Sequence, residues 1–342
     1  MKASFYQFFI IFFLVVFFVA PVFAFGEESN YNFEKIFYLS TSSEKKAIAD
    51  IQANADKMDI LAPQAYAVGS DLALHGSLDA DLQDAIEKYD VKKVMPLVVN
   101  AKFSQVVIHN FLLSPTAQDK VISGLVALAK KNNYIGWQFD FENISYLDKD
   151  LYSVFVEETA EALHKNGLIL SVAAVCRIVD YEDTPAYKNW GGAFDYKRLS
   201  DAVDFISMMT YDDSNSIGPT ASVSYINKVL DYVKDKIPPE KLSMGIPFYY
   251  WGWNQTPYKR ISSGPYSLVA FTAQNFQCKQ GFDEKLGVPW LSYSVAGKSY
   301  KIWYEDKQSF EIKLNIVKDN NLRGFSAWVL GGEDPDIWNV LD

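Results

Sequence analysis

The stretch Tyr134-Ile-Gly-Trp-Gln-Phe-Asp-Phe-Glu-Asn143 places Gln138, Asp140 and Glu142 at every second position, with Trp137, Phe139 and Phe141 between them. In a strand, alternate side chains share one face, so the three polar groups point one way and the three aromatics the other. Burying acids on one face is costly unless they are paired or perform chemistry. Asp140 lies one side-chain repeat from Glu142, roughly 6.5–7 Å of backbone. A second anion that close disfavours ionisation of Glu142 and helps hold it as an acid near neutral pH. A sheltered neutral carboxyl is what a departing glycosidic oxygen needs, because departure as an alkoxide is unfavourable. Neighbouring positions on one strand do not easily flank opposite faces of a sugar ring. A group on the substrate therefore fits the nucleophile's role better than a second carboxylate. A satisfied buried polar layer is the bland alternative.

The elements that must position these groups alternate along the chain. Strand-like runs occupy Ile36–Leu39, Asp59–Pro63, Lys93–Val98, Gly136–Glu142, Ile169–Val175, Phe205–Tyr211, Leu242–Phe248 and Gly324–Val329. Helical patterns lie between them at Ser43–Lys57, Asp79–Lys88, Pro115–Asn132, Lys149–Asn166, Ala221–Lys236 and Asp306–Asn320. Strands separated by helices imply parallel pairing with right-handed crossovers, and eight such units predict an α/β fold, a (β/α)₈ TIM barrel. Barrel enzymes keep their chemistry at strand C-termini, where Glu142 would sit. One segment breaks the rhythm. Tyr250 to Tyr300 is rich in Gly, Pro, Ser and aromatics and lacks a long helical period, so it reads as a small β-rich insertion between strand seven and the last helix. There it would form one wall of a cleft, with Trp251, Trp253 and Trp290 open either to stacking on sugars or to a scaffold role.

Composition narrows the chemistry further. The 342 residues carry 32 Lys and Arg against 42 Asp and Glu, a formal charge of −10. That balance argues against a nucleic-acid binder, which needs cations to neutralise phosphates. The three histidines, His75, His109 and His164, show no ligand spacing, and Cys176 and Cys278 make no framework. No glycine-rich phosphate loop appears. Neither metal nor cofactor is expected, and the chemistry falls to carboxylates. At the start of the chain, Lys2 precedes a long apolar run from Phe5 to Val22, and Val22-Phe23-Ala24 has the small residues of a cleavage site. Residues 1–24 are expected to be a signal peptide, giving a secreted or periplasmic protein free of the membrane after cleavage; an uncleaved anchor is the alternative.

Gly136-Trp-Gln138-Phe-Asp140-Phe-Glu142 resembles the DGxDxDxE signature of family 18 glycoside hydrolases, the chitinase-like barrels. Ile135 replaces the leading acid and Gln138 the middle one, so Asp140 has one carboxylate neighbour fewer. An amide there, with Glu-Asn at the end, looks most like the spore-cortex and peptidoglycan-lytic branch. Met208-Met209-Thr210-Tyr211-Asp212 resembles the family's MxYD, and Gly324-Phe-Ser-Ala-Trp328-Val-Leu-Gly331 resembles its closing strand. Leu61-Ala-Pro-Gln64-Ala-Tyr66 with Gly69-Ser70-Asp71 resembles the branch's second strand, as Trp303-Tyr-Glu-Asp306 resembles the segment before its last helix.

The resemblance implies one catalytic barrel over residues 25–342, with the insertion at about 250–300. It further implies retaining, substrate-assisted hydrolysis of β-1,4-linked N-acetylglucosamine polymers, chitin or peptidoglycan glycan, by a monomer. Glu142 would be the acid, Asp140 the stabiliser of the oxazolinium nitrogen and Tyr211 the holder of the acetamido oxygen. Trp328 would floor the −1 sugar, with Asp212, Gln138, Met209, Tyr66 and Gln64 also contacting substrate. Taken singly, Tyr211 also reads as a strand-end tyrosine, Asp212 as a turn cap and Trp328 as core. The rival function is a non-catalytic chitinase-like lectin, which typically lacks the acid.

Overall fold

The computed structural model describes residues 33–40, 44–213 and 217–341. The proposed signal peptide lies outside them. Strands follow in chain order as β1 (Glu34–Leu39), β2 (Ile60–Val68), β3 (Leu74–Gly76), β4 (Leu97–Asn100), β5 (Gly136–Asp140), β6 (Ile169–Val175) and β7 (Phe205–Met209). Next come β8 (Leu242–Pro247), β9 (Tyr250–Gln255), β10 (Tyr258–Gly264), β11 (Cys278–Asp283), β12 (Val288–Val295), β13 (Lys298–Trp303) and β14 (Gly324–Trp328). Eight of these pair in parallel in the order β1-β14-β8-β7-β6-β5-β4-β2, and β1 also pairs with β2, which closes the sheet into a barrel. The short β3 adds antiparallel to β2.

The helices that cover the barrel are α1 (Glu44–Asn54), α2 (Ala80–Lys88), α3 (Gln105–Leu112), α4 (Pro115–Asn132), α5 (Lys149–His164), α6 (Tyr196–Ala202) and α7 (Val223–Val233). Local chemistry sets their ends. Pro115 opens α4, where its missing N–H costs nothing, and Asn133 closes it in the left-handed region. The outward face of β5 packs beneath α4 and α5: Trp137 donates its indole N–H to Leu125 O at 3.0 Å, and Phe139 stacks on Phe155 with centroids 5.2 Å apart. These contacts leave Gln138 and Asp140 facing the barrel axis.

The insertion is a five-stranded antiparallel sheet in the order β10-β9-β13-β12-β11, followed by the barrel-covering helix α9 (Lys307–Asp319). It also contains a ten-residue helix, α8 (Tyr266–Asn275), which the sequence reading did not anticipate. Only Val269 of α8 is buried, while Leu268 and Phe271 are exposed, so no apolar stripe announces the helix. Trp253 anchors the sheet to the segment after β7 by donating its indole N–H to Gly218 O at 2.8 Å. Trp253 and Trp290 belong to an apolar cluster with Val288 and Trp303, and thus serve the scaffold. Both cysteines are free, and the Cys176 thiol lies 3.0 Å from the Tyr225 hydroxyl.

Candidate active site

Asp140 is the last residue of β5, and its neighbour β4 ends at Asn100. Beyond these ends no main-chain partner remains for Glu142, and a side chain takes over. Asn100 donates through Nδ2 to Glu142 O at 2.9 Å, and its Oδ1 accepts from Glu142 N at 3.0 Å. The amide thereby continues the ladder by one step and fixes the backbone carrying the acid. Asn100 is fully buried, so these bonds exchange with little water.

Asp140 is almost fully buried and accepts one bond at 3.3 Å from Gln64 Nε2 of β2. Burial pushes its carboxyl above the usual range, and the Gln64 bond opposes this in part. Glu142 is pushed up to about 8, first by burial, then by the charges of Asp140 and Asp212. Asp212 is also raised by burial, and it accepts a 2.7 Å bond from the Tyr249 hydroxyl. An acid held neutral beside two carboxylates is able to donate a proton to a leaving group.

Tyr211 and Asp212 follow β7. Gly245 of β8 makes room for the tyrosine, because a β-carbon there would meet Tyr211 Cε1 at 2.8 Å and Met208 O at 2.6 Å. The Tyr211 ring packs edge-on against Tyr249, with centroids 6.2 Å apart. Trp328 ends β14 half-buried, its ring 5.5 Å from that of the buried Tyr38. Two cavities meet at Asp212. One of about 550 Å³ is lined by Glu142, Met209, Tyr211, Tyr225 and Trp190; the other, of about 940 Å³, by Trp328, Tyr249, Trp251 and Arg260.

Two expected substrate contacts are corrected. Gln138 is fully buried one layer beneath Asp140, where its Nε2 donates to Ser171 Oγ at 2.7 Å and Ser207 Oγ at 3.0 Å. It supports the barrel interior and does not reach the cleft. Tyr66 points outward, edge-on to Trp137 with centroids 4.9 Å apart, and its hydroxyl lies 3.0 Å from that of Tyr134. The cause is an irregularity in β2, whose register with β4 shifts between Gln64 and Tyr66. An extra residue there sends two side chains, two positions apart, to opposite faces. Gln64 consequently meets Asp140 while Tyr66 joins the core.

Asn100, Tyr249 and Arg260 were missed by the sequence reading. Asn100 had a legible signal, a lone amide closing the apolar run Leu97-Val98-Val99. Tyr249 and Arg260 had none, since neither falls in a motif.

The family model for glycosyl hydrolases family 18 matches residues 35–333. The cortical fragment-lytic enzyme of Bacillus subtilis (strain 168) is 29% identical over 252 residues, covering 71% of this chain; the match spans 57% of that enzyme's own length. Among solved structures, the spore cortex-lytic enzyme SleL of Bacillus megaterium QM B1551 superposes with a TM-score of 0.79 at 26% identity, covering 91% of this chain and 73% of that one. A chitinase from Chromobacterium violaceum ATCC 12472 shares the fold with a TM-score of 0.79 at 24% identity, covering 91% and 98%. With the family match running from β1 to the loop after β14, on a barrel that carries its acids at the end of β5, the chain belongs to family 18 of the glycosyl hydrolases.

Proposed function

We propose that the protein hydrolyses β-1,4-linked N-acetylglucosamine polymers, chitin or peptidoglycan glycan, with retention and with the substrate's acetamido group as nucleophile. The carrying observation is Glu142, two residues beyond Asp140 at the end of β5 and raised to about 8 by burial and by the charges of Asp140 and Asp212. Glu142 gives its proton to the glycosidic oxygen as the C1–O bond breaks, and the acetamido oxygen bonds to C1. Positive charge spreads onto the oxazolinium nitrogen, whose N–H donates to Asp140 in a charge-assisted bond. Tyr211 donates its hydroxyl to the acetamido oxygen and holds it in line, an orientation effect. Water then attacks C1 from the vacated side, the oxazolinium ring's C1–O bond breaks to restore the acetamido group, and the Glu142 carboxylate accepts the water's proton. Trp328 floors the −1 sugar, with Asp212, Met209 and Gln64 around it. No cofactor or metal takes part. The enzyme acts as an exported monomer, residues 1–24 being its signal peptide.

The test is twofold. A thiazoline analogue of the oxazolinium ion should inhibit competitively, and NMR of fresh product, before mutarotation, should show the β-anomer. An initial α-anomer would rule the mechanism out.

A further inference from the structure

Chitin and peptidoglycan present the same chemistry at the bond that breaks, and they differ in what the neighbouring sugar carries. In peptidoglycan that sugar bears a 3-O-lactyl ether ending in a carboxylate, free or amide-linked to a peptide. A cation placed in the cleft away from the leaving group would tell the two polymers apart. Arg260 is such a cation.

The polarity of the cleft follows from the acid. Glu142 must sit at the bond it protonates, and with Tyr211 and Met209 it lines the smaller cavity, so that side takes the acetamido end of the −1 sugar, the bond that breaks and the leaving sugar beyond it. The larger cavity, floored by Trp328, holds the part of the glycan that is kept. Arg260 lines this second cavity. It belongs to β10, whose pairing with β9 shifts between Arg260 and Ser262, and such irregularities re-aim side chains. Its guanidinium lies over the ring of Trp251, 4.2 Å from the centroid, a seat that orients the fork without neutralising it. It is exposed, and among the described residues no carboxylate forms an ion pair with it, although its charge acts on the Asp212 carboxylate of the same cavity. Lys45 and Lys46 line the same cavity, and Lys46 donates to Ser267 Oγ of α8 at 2.9 Å, which keeps that ammonium at the wall. Glu44 and Asp212 are the acids there. Three cations in one groove stand out in a chain of net charge −10.

We propose that Arg260, seated on Trp251, binds the 3-O-lactyl carboxylate of the sugar next to the −1 site, and so selects peptidoglycan glycan over chitin. The proposal rests on the glycosidase reading above. A planar guanidinium matches a carboxylate with two parallel N–H···O bonds, which an ammonium cannot reproduce.

The experiment compares kcat/KM on amidase-stripped glycan strands, which carry free lactyl carboxylates, with that on N-acetylglucosamine oligomers. Arg260→Gln should lower the ratio of the two about tenfold or more, the loss expected of one charge-assisted pair. Arg260→Lys should lower it less, and methyl esterification of the strands should lower the wild-type ratio as Arg260→Gln does. A ratio moved less than about twofold, or esterified strands cleaved as well as free ones, overturns the proposal. So does dependence on Arg260 seen only with strands that keep their stem peptides. Titration calorimetry of the same glycans reads the site without turnover. Should wild type cleave neither glycan while Arg260→Gln still lowers the affinity ratio, the glycosidase reading fails and the carboxylate site stands.

Discussion

Asn100 and Glu142 exchange two hydrogen bonds of opposite sense, side-chain amide to main chain, at 2.9 and 3.0 Å. Glu142, the proposed proton donor, therefore does not stand on β5, which ends at Asp140. It stands on a peptide that one side chain from the neighbouring strand holds in place.

Replacing Asn100 with alanine leaves both Glu142 groups unpaired. Loss of stability should be about 1–3 kcal/mol, the cost of unsatisfied buried groups. The larger effect should be on kcat, down on the order of 100-fold through misplacement of the acid, with KM moving less than about threefold. Asn100→Asp keeps the acceptor but not the donor when ionised, and should fall between. Full kcat in the alanine variant would show that the clamp positions nothing.

Glu142→Gln removes the proton and little else. Activity on a poor leaving group should fall by about 100- to 10,000-fold, and by much less on a nitrophenol glycoside, whose departure needs no acid. Activity retained within about tenfold on the natural bond would reassign the acid.

The pH profile carries its own sign. As the proposed acid, Glu142 acts only while protonated, and its pKa is raised to about 8, so kcat/KM should fall as pH rises through that value. Asp212 contributes to the rise by its charge. Asp212→Asn should therefore move the alkaline limb to lower pH, whatever it does to the plateau. A limb that stays put, or moves upward, contradicts the electrostatic origin of the shift.

Trp328 both lines the larger cavity and touches Tyr38, so core and platform roles are separable by measurement. Loss of a fully buried indole costs about 3–5 kcal/mol, which lowers the melting temperature visibly. Because Trp328 is only half-buried, Trp328→Ala should lose less than that while weakening oligosaccharide binding, measured in the Glu142→Gln background to prevent hydrolysis. Unchanged sugar affinity with a large melting drop would move this residue to the core.

What the residues determined unaided was periodicity. Eight apolar runs separated by helical patterns specify a barrel, since each strand needs both faces covered and each helix one. Alternation along Trp137 to Glu142 likewise separates the acids from the aromatics, and the packing of Trp137 on α4 and Phe139 on α5 follows that division. Depth and exceptions needed the closed barrel. Gln138 and Asp140 share a face in sequence, yet one is sealed between two serines while the other stands one layer higher; height along the axis depends on the stagger of all eight strands. Gln64 and Tyr66 share a face by spacing, but the shift in β2 parts them. Alternation predicts sides only along an unbroken strand, and a bulge is set by the strands paired on either side of it. Arg260 meets Trp251 through the pairing of β9 with β10, and Tyr249 meets Asp212 because the barrel sets the ends of β8 and β7 side by side; neither pairing is written in a local motif.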